Sequence, residues 1–130
     1  MFPNVDLLMR EDIDVFLRKA EKFDSAARYF LSEGVYDLAA FHIEQTLQLY
    51  LKYILAKVIG YFPKTHSLTK LFRELSKIDE DFMRFYQENE IILKDIEDAY
   101  ILSKYFPREY SESEVKALDR FKERFKRWIS

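Results

Sequence analysis

Over most of this chain the apolar residues recur at the spacing of one helix face, and residues able to interrupt that pattern are scarce. Ile13, Phe16, Leu17, Ala20, Phe23, Ala27, Phe30 and Leu31 follow the i, i+3, i+4, i+7 rule, which predicts a first helix over about 10–32. The chain holds 2 Gly and 3 Pro, too few for the many tight turns of an all-β sandwich or barrel. One of them, Gly34 in "SEGVYD", stands where a residue of positive φ ends that helix. A second helix then runs from about Tyr36 to Ile59.

Gly60 and Pro63 punctuate "IGYFPKTHSL", after which Thr65 or Ser67 can cap a short third helix carrying Leu68, Leu71, Phe72, Leu75 and Ile78. Phe82, Phe85, Tyr86, Leu93, Ile96, Ala99 and Tyr100 continue the helical spacing, as one long helix or as a pair kinked at "QENE". Pro107 ends this run, because a proline pushes the residue before it out of the α region. Ser111 with Glu114 forms a capping-box signature for a last helix, with Val115, Leu118, Phe121, Phe125, Trp128 and Ile129 on its apolar side. A chain of 130 residues, 48% hydrophobic with 9 Tyr and 12 Phe, has material for one core and buries roughly two thirds of its unfolded surface. The expected fold is all-α: an up-and-down antiparallel bundle of four to five helices, a single domain over 1–130.

Several function classes drop out on composition. No segment reaches the roughly 18–20 consecutive apolar residues that cross a bilayer, and the start "MFPNVDLLMREDID" lacks a basic region followed by an apolar one. The expectation is a cytoplasmic protein without membrane contact. Zero Cys removes disulfides, thiolate metal sites and cysteine nucleophiles. A net charge of -2 gives no global attraction for nucleic acid. Gly34 and Gly60 alone cannot build a glycine-rich phosphate loop. The two histidines, His42 and His66, lie too far apart in sequence for a helical ligand pair, so no metal or other cofactor is expected.

On the second helix Ala39, Ile43, Leu47, Tyr50 and Ile54 share one side, the core face. Phe41, Gln45, Gln48, Lys52, Leu55 and Ile59 share the other. Three readings stay open for that second stripe: a solvated face, a surface covered by a second chain, or the lining of a cleft.

"EGVYDLAAFHIEQTLQLYLKYIL", "KTHSL" and "YILSKYFP", in that order, resemble the HEPN domain, the higher-eukaryote and prokaryote nucleotide-binding domain, over roughly residues 12–128. Gln45 and Lys52 stand where that family has a frequent Gln and Lys, and His66 stands in its Thr-His-Ser-Leu element. Gln48 falls where many members have Glu, and Lys104 with Phe106 and Pro107 where many have Arg-Tyr-Pro. The resemblance implies a helical bundle, usually a homodimer, often working beside a small nucleotidyltransferase and in some cases as half of a toxin–antitoxin pair. It implies a non-catalytic module that binds a nucleotide or substrate through Gln45, Gln48, Lys52, His66 and Lys104. Other members are metal-independent ribonucleases carrying Arg, four to six residues, then His. Here Val35, Tyr36 and Asp37 precede His42 at that spacing, and Ile59, Gly60 and Tyr61 precede His66, so the motif is absent and the ribonuclease alternative is disfavoured.

Other residues carry rival readings. His42 suits a structural or solvent-facing role. Lys64, Thr65, His66 and Ser67, at a helix start, either meet a phosphate or simply cap and pack. Asp79, Glu80 and Asp81 suit a helix start without any metal. Glu97 and Asp98 are adjacent on a helix and diverge, which makes them a poor acid–base pair. Lys116, Arg120, Arg124 and Arg127 line one side of the last helix, either as a solvated basic face or in contact with RNA.

Overall fold

A computed structural model describes residues 10–61, 63–105 and 108–129, with the helical backbone alone for 10, 11 and 103–105. The side chain of Lys104, together with Phe106 and Pro107, lies outside the described residues. Among the described residues six helices follow one another: α1 (Arg10–Ser32), α2 (Tyr36–Ile59), α3 (Leu68–Ser76), α4 (Glu80–Glu88), α5 (Glu90–Tyr105) and α6 (Glu112–Ile129). Among the described residues there is no strand, and no helix is long and apolar enough to cross a membrane. The protein is an all-α bundle.

One helix more than the expected four to five is present, because the kinked pair has become two helices. Asn89 separates α4 from α5 at φ -126°, ψ 20°, its backbone N–H bonded to the Tyr86 carbonyl at 3.1 Å. Its side-chain amide donates to the Phe85 carbonyl at 2.8 Å, the kind of local bond with which Asn competes against a continuous helix. α3 also stops at Ser76, leaving Ile78 beyond its end and half exposed.

The other helix ends lie where their punctuation puts them. Gly34, at φ 74°, closes α1 in a Schellman motif: the Val35 N–H reaches the Phe30 carbonyl at 2.9 Å and the Gly34 N–H the Leu31 carbonyl at 3.2 Å. Gly60 ends α2 at φ 81°. The Glu114 N–H donates to Ser111 Oγ at 3.2 Å and the Ser111 N–H to the Glu114 carboxylate at 3.1 Å, a complete capping box for α6. Ser111→Ala is expected to lower stability by about 1 kcal/mol, read as a shift of the urea midpoint at unchanged slope.

α2 is the central helix. It packs against α1, α3, α5 and α6, which is why its buried residues run round most of its circumference and include Ala39, Ala40, Ile43, Leu47, Leu51 and Leu55. The second stripe is thus covered in part by this chain's own helices: Leu55 is fully buried, Phe41 stacks on Tyr100 of α5 and Gln48 is 3% exposed, while Gln45, Lys52 and Ile59 stay partly open. Its two apolar sides need no second chain to explain them. Opposite, Phe72 of α3, Phe85 of α4 and Phe121 and Phe125 of α6 form an aromatic cluster that joins the shorter helices to the last one.

A buried ion pair is set inside this apolar packing. Lys122 of α6 is fully buried, and its ammonium meets Asp24 of α1 at 2.5 Å and Asp119 at 2.7 Å. Lys126 holds the other oxygen of Asp24 at 2.5 Å. Burial pushes the Asp24 carboxyl up, but the hydrogen bonds and charges of Lys122 and Lys126 outweigh it and hold the group below its ordinary value. The sequence reading passed over this pair, although Asp24 lies one turn from Ala20 and Lys122 one turn from Leu118, on the core-facing stripes.

Candidate functional site

Glu44, Gln48 and Lys52 are successive i, i+4 neighbours on α2 and so form a row along one side of it, with Gln45 beside them. The left-handed turn at Gly60 sends the chain back along α2, which brings the 63–67 segment against that row. Gln48 Nε2 donates to the His66 carbonyl at 3.0 Å and to the Glu44 carboxyl at 2.5 Å. Gln45 Nε2 donates to the other Glu44 oxygen at 2.7 Å. Both amide hydrogens of Gln48 are therefore committed inside the domain, to the loop carbonyl and to Glu44.

Glu44 is fully buried. Burial pushes its carboxyl up to about 8, against the opposing hydrogen bonds from Gln48 and Gln45, and the negative charge of Glu97 adds to the rise. At neutral pH this carboxyl is mostly protonated. Lys52 is half-buried, and burial lowers its pKa while Glu44 pulls in the other direction.

Glu97 enters from α5 and occupies the start of α3. Ser67, the N-cap of α3, donates its hydroxyl to Glu97 Oε1 and accepts from the Lys70 N–H at 3.2 Å. Thr69 adds its N–H at 3.3 Å and its hydroxyl at 3.2 Å. Unpaired amides and the dipole make a helix N-terminus attractive to an anion. Here the chain supplies that anion itself, so the phosphate reading for Thr65–Ser67 loses its place to an internal carboxylate.

An aromatic column flanks the polar row. The exposed His66 ring stacks on Tyr100 at 5.0 Å between centroids, and Tyr100 stacks on Phe41 at 6.3 Å. Phe41 meets His42 edge-on at 5.4 Å, and His42 packs against Phe23 and Phe30 of α1 with Nδ1 2.8 Å from the Leu38 carbonyl. His42 is thus a packed ring between α1 and α2, while His66 presents one open face at the end of the column.

The structure therefore gathers Gln45, Gln48, Lys52 and the His66 segment at one side of α2. It adds Glu44, Glu97, Thr69 and Tyr100, which the sequence reading did not assign to the site, and makes Ser67, read there as a cap or a phosphate contact, the cap of α3. A signal for Glu44 did exist: Ala40, Leu47, Leu51 and Leu55 surround it on the helix surface, so a carboxyl at that position faces the core. Nothing local marks Glu97, whose partners stand 28 and 30 positions away. Asp79 is occupied otherwise, accepting the Asp81 N–H at 2.8 Å as the cap of α4.

The HEPN domain model matches residues 13–130. No curated protein and no solved structure matches the chain. A family match across nearly the whole chain, on an all-α bundle with its polar row on the second helix, places it: this protein belongs to the HEPN domain family.

Proposed function

We propose that this chain is a non-catalytic nucleotide- or substrate-binding module, acting as a homodimer beside a separate nucleotidyltransferase, a pairing that in some members of the family is a toxin–antitoxin pair. The observation that carries the reading is the open face of His66, stacked on Tyr100 and Phe41, next to a row that ends in the half-buried Lys52. A ring column with one exposed face suits a base, and a lysine partly withdrawn from water interacts strongly with phosphate. Gln45 lies beside them, Gln48 holds the His66 segment in place, and Lys104 joins the set through the family resemblance. Leu38 and Ile101, 41% and 48% exposed on α2 and α5, offer apolar surface for a second copy.

Calorimetry with ATP, GTP, CTP and UTP tests the site. At least one nucleotide is expected to bind with a Kd of roughly 10–500 μM, and Lys52→Ala to weaken it by about tenfold, the loss of one charge-assisted contact. Absence of binding at about 1 mM nucleotide, with no effect of Lys52→Ala or Gln45→Ala on nucleotidyltransferase-dependent activity, removes the reading. A monomer persisting in sedimentation at about 100 μM, a concentration at which even a weak dimer is populated, removes the homodimer.

A further inference from the structure

His66 is the residue whose ring stands open, and it lies in a loop, where a side chain is held only as well as its neighbours are. Two helices hold it. From α2, Gln48 Nε2 donates to the His66 carbonyl at 3.0 Å. From α5 come Glu97 and Tyr100, which stand at i and i+3 and so share one side of that helix. Tyr100 takes the His66 ring in its stack at 5.0 Å between centroids. Glu97 takes the residues that follow: its Oε1 accepts the Ser67 hydroxyl and, at 3.3 Å, the Thr69 N–H, while its Oε2 accepts the Thr69 hydroxyl at 3.2 Å. Thr65 closes the loop on the other side, its Oγ1 accepting the Ser67 N–H at 3.1 Å.

A stack alone leaves an exposed ring free to slide or swing out, because its geometry is broad. Pinning the adjacent Ser67 to the same helix that carries Tyr100 sets the ring over its partner. On charge alone a carboxylate is a poor choice for this place. A helix N-terminus favours a bound anion, and the negative charge of Glu97, felt as far as the buried Glu44, works against a phosphate at this side of the domain. If charge decided ligand affinity, removing Glu97 would strengthen it. What Glu97 supplies instead is three hydrogen bonds, made across 28 and 30 positions of sequence, that tie the loop and the start of α3 to α5.

We infer that Glu97 is the positioning residue of the site: by fixing Ser67 and Thr69 to α5 it holds the His66 ring on Tyr100, with the outer face of that ring turned to the ligand. The ligand-facing part of this inference rests on the nucleotide reading above, whereas the anchoring of the ring stands without it.

Two variants of the full chain separate anchoring from charge. Glu97→Gln removes the charge but keeps an oxygen for the Ser67 hydroxyl and the Thr69 N–H and an amide for the Thr69 hydroxyl, while Glu97→Ala removes both. The chain has 2 His, so proton NMR resolves the His66 ring signals, assigned by their loss in His66→Asn. At matched pH the Tyr100 ring is expected to displace them upfield in the parent and in Glu97→Gln. That displacement is expected to be lost in Glu97→Ala and in Ser67→Ala, which cuts the same link from the loop side and carries the comparison if Glu97→Ala loses its helical circular dichroism. In calorimetry with ATP, GTP, CTP and UTP, Glu97→Ala is expected to weaken the nucleotide that the parent binds by about tenfold, the cost of a loosened contact, and Glu97→Gln to bind as the parent does. Unchanged His66 signals in Glu97→Ala and Ser67→Ala overturn the anchoring. Tighter binding by both Glu97 variants, or equal weakening by both, overturns the positioning role, because the ligand then responds to the charge. A parent that binds none of the four nucleotides removes the nucleotide reading and leaves the NMR comparison to decide the anchoring.

Discussion

Replacing Lys122 with alanine is expected to destabilise the fold by about 3–5 kcal/mol, the cost of leaving a buried charge without its main partner. For a domain of this size that is a fall in Tm of roughly 10–20 °C. The reason lies in Asp24, 2% exposed, whose carboxylate is held ionised in the core by Lys122 and Lys126. Removing both charges together is a different experiment: Asp24→Leu with Lys122→Met takes away the desolvation cost along with the attraction and is expected to recover most of the loss. The pair also sets an acid limit. Since the folded pKa of Asp24 is depressed below 3.8, its contribution is present above that value and is lost as the pH falls through the lower, folded one. Thermal melts of the single and double variants at neutral pH check the prediction. A Lys122→Ala variant as stable as the parent would show that Asp24 finds water or another cation instead.

Glu44→Gln is expected to act in the opposite direction and raise stability at pH 7 by about 3 kcal/mol. The carboxyl titrates near 4.5 when exposed and near 8 in its buried place between Gln45 and Gln48. Because the folded pKa is raised, the folded chain keeps a proton that the unfolded chain has released. Its contribution is therefore complete below pH 4.5 and is lost steadily as the pH climbs toward 8, at about 1.4 kcal/mol per pH unit. Glutamine keeps the shape without the charge; its one carbonyl oxygen accepts from Gln48, and the partly exposed Gln45 amide turns its oxygen to the new NH2. Urea unfolding of the parent between pH 5 and pH 8 should show falling stability across that range, and the variant a nearly flat profile. A parent profile that is flat over the same interval would mean that Glu44 is ionised in the fold.

The two predictions point to the same division. α2 was legible because a periodic apolar pattern and two flanking glycines are local signals: Gly34 and Gly60 both take the positive φ that their positions ask for. The break at Asn89 was half legible, since "QENE" interrupts the apolar spacing without saying whether the helix bends or stops. The site was legible on α2 alone. Gln45, Gln48 and Lys52 could be grouped by helical geometry, whereas the His66 carbonyl that Gln48 holds comes from the returning loop, and Glu97, whose charge acts on Glu44, comes from α5.

By itself the sequence determined the helices, most of their ends, the family and the presence of a polar row on the second helix. The helices, their ends and the polar row follow from spacing and capping, in which each residue answers to neighbours within about one turn, and the family from the resemblance of three short motifs. Only the tertiary structure decided that Gln48 and Leu55 of the second stripe are covered by their own chain, that the carboxyl at the α3 N-terminus is Glu97, and that Glu44 is neutral at pH 7 while Asp24 is charged. Two buried carboxyls of the same chain take opposite states because one is packed between amides near another carboxylate and the other meets two ammonium groups. Charge state in a core is set by which groups the fold brings within a few ångströms: the lysines of Asp24 come from another helix, while Glu44 sits between two amides of its own helix with the burial and the Glu97 charge supplied by the rest of the fold.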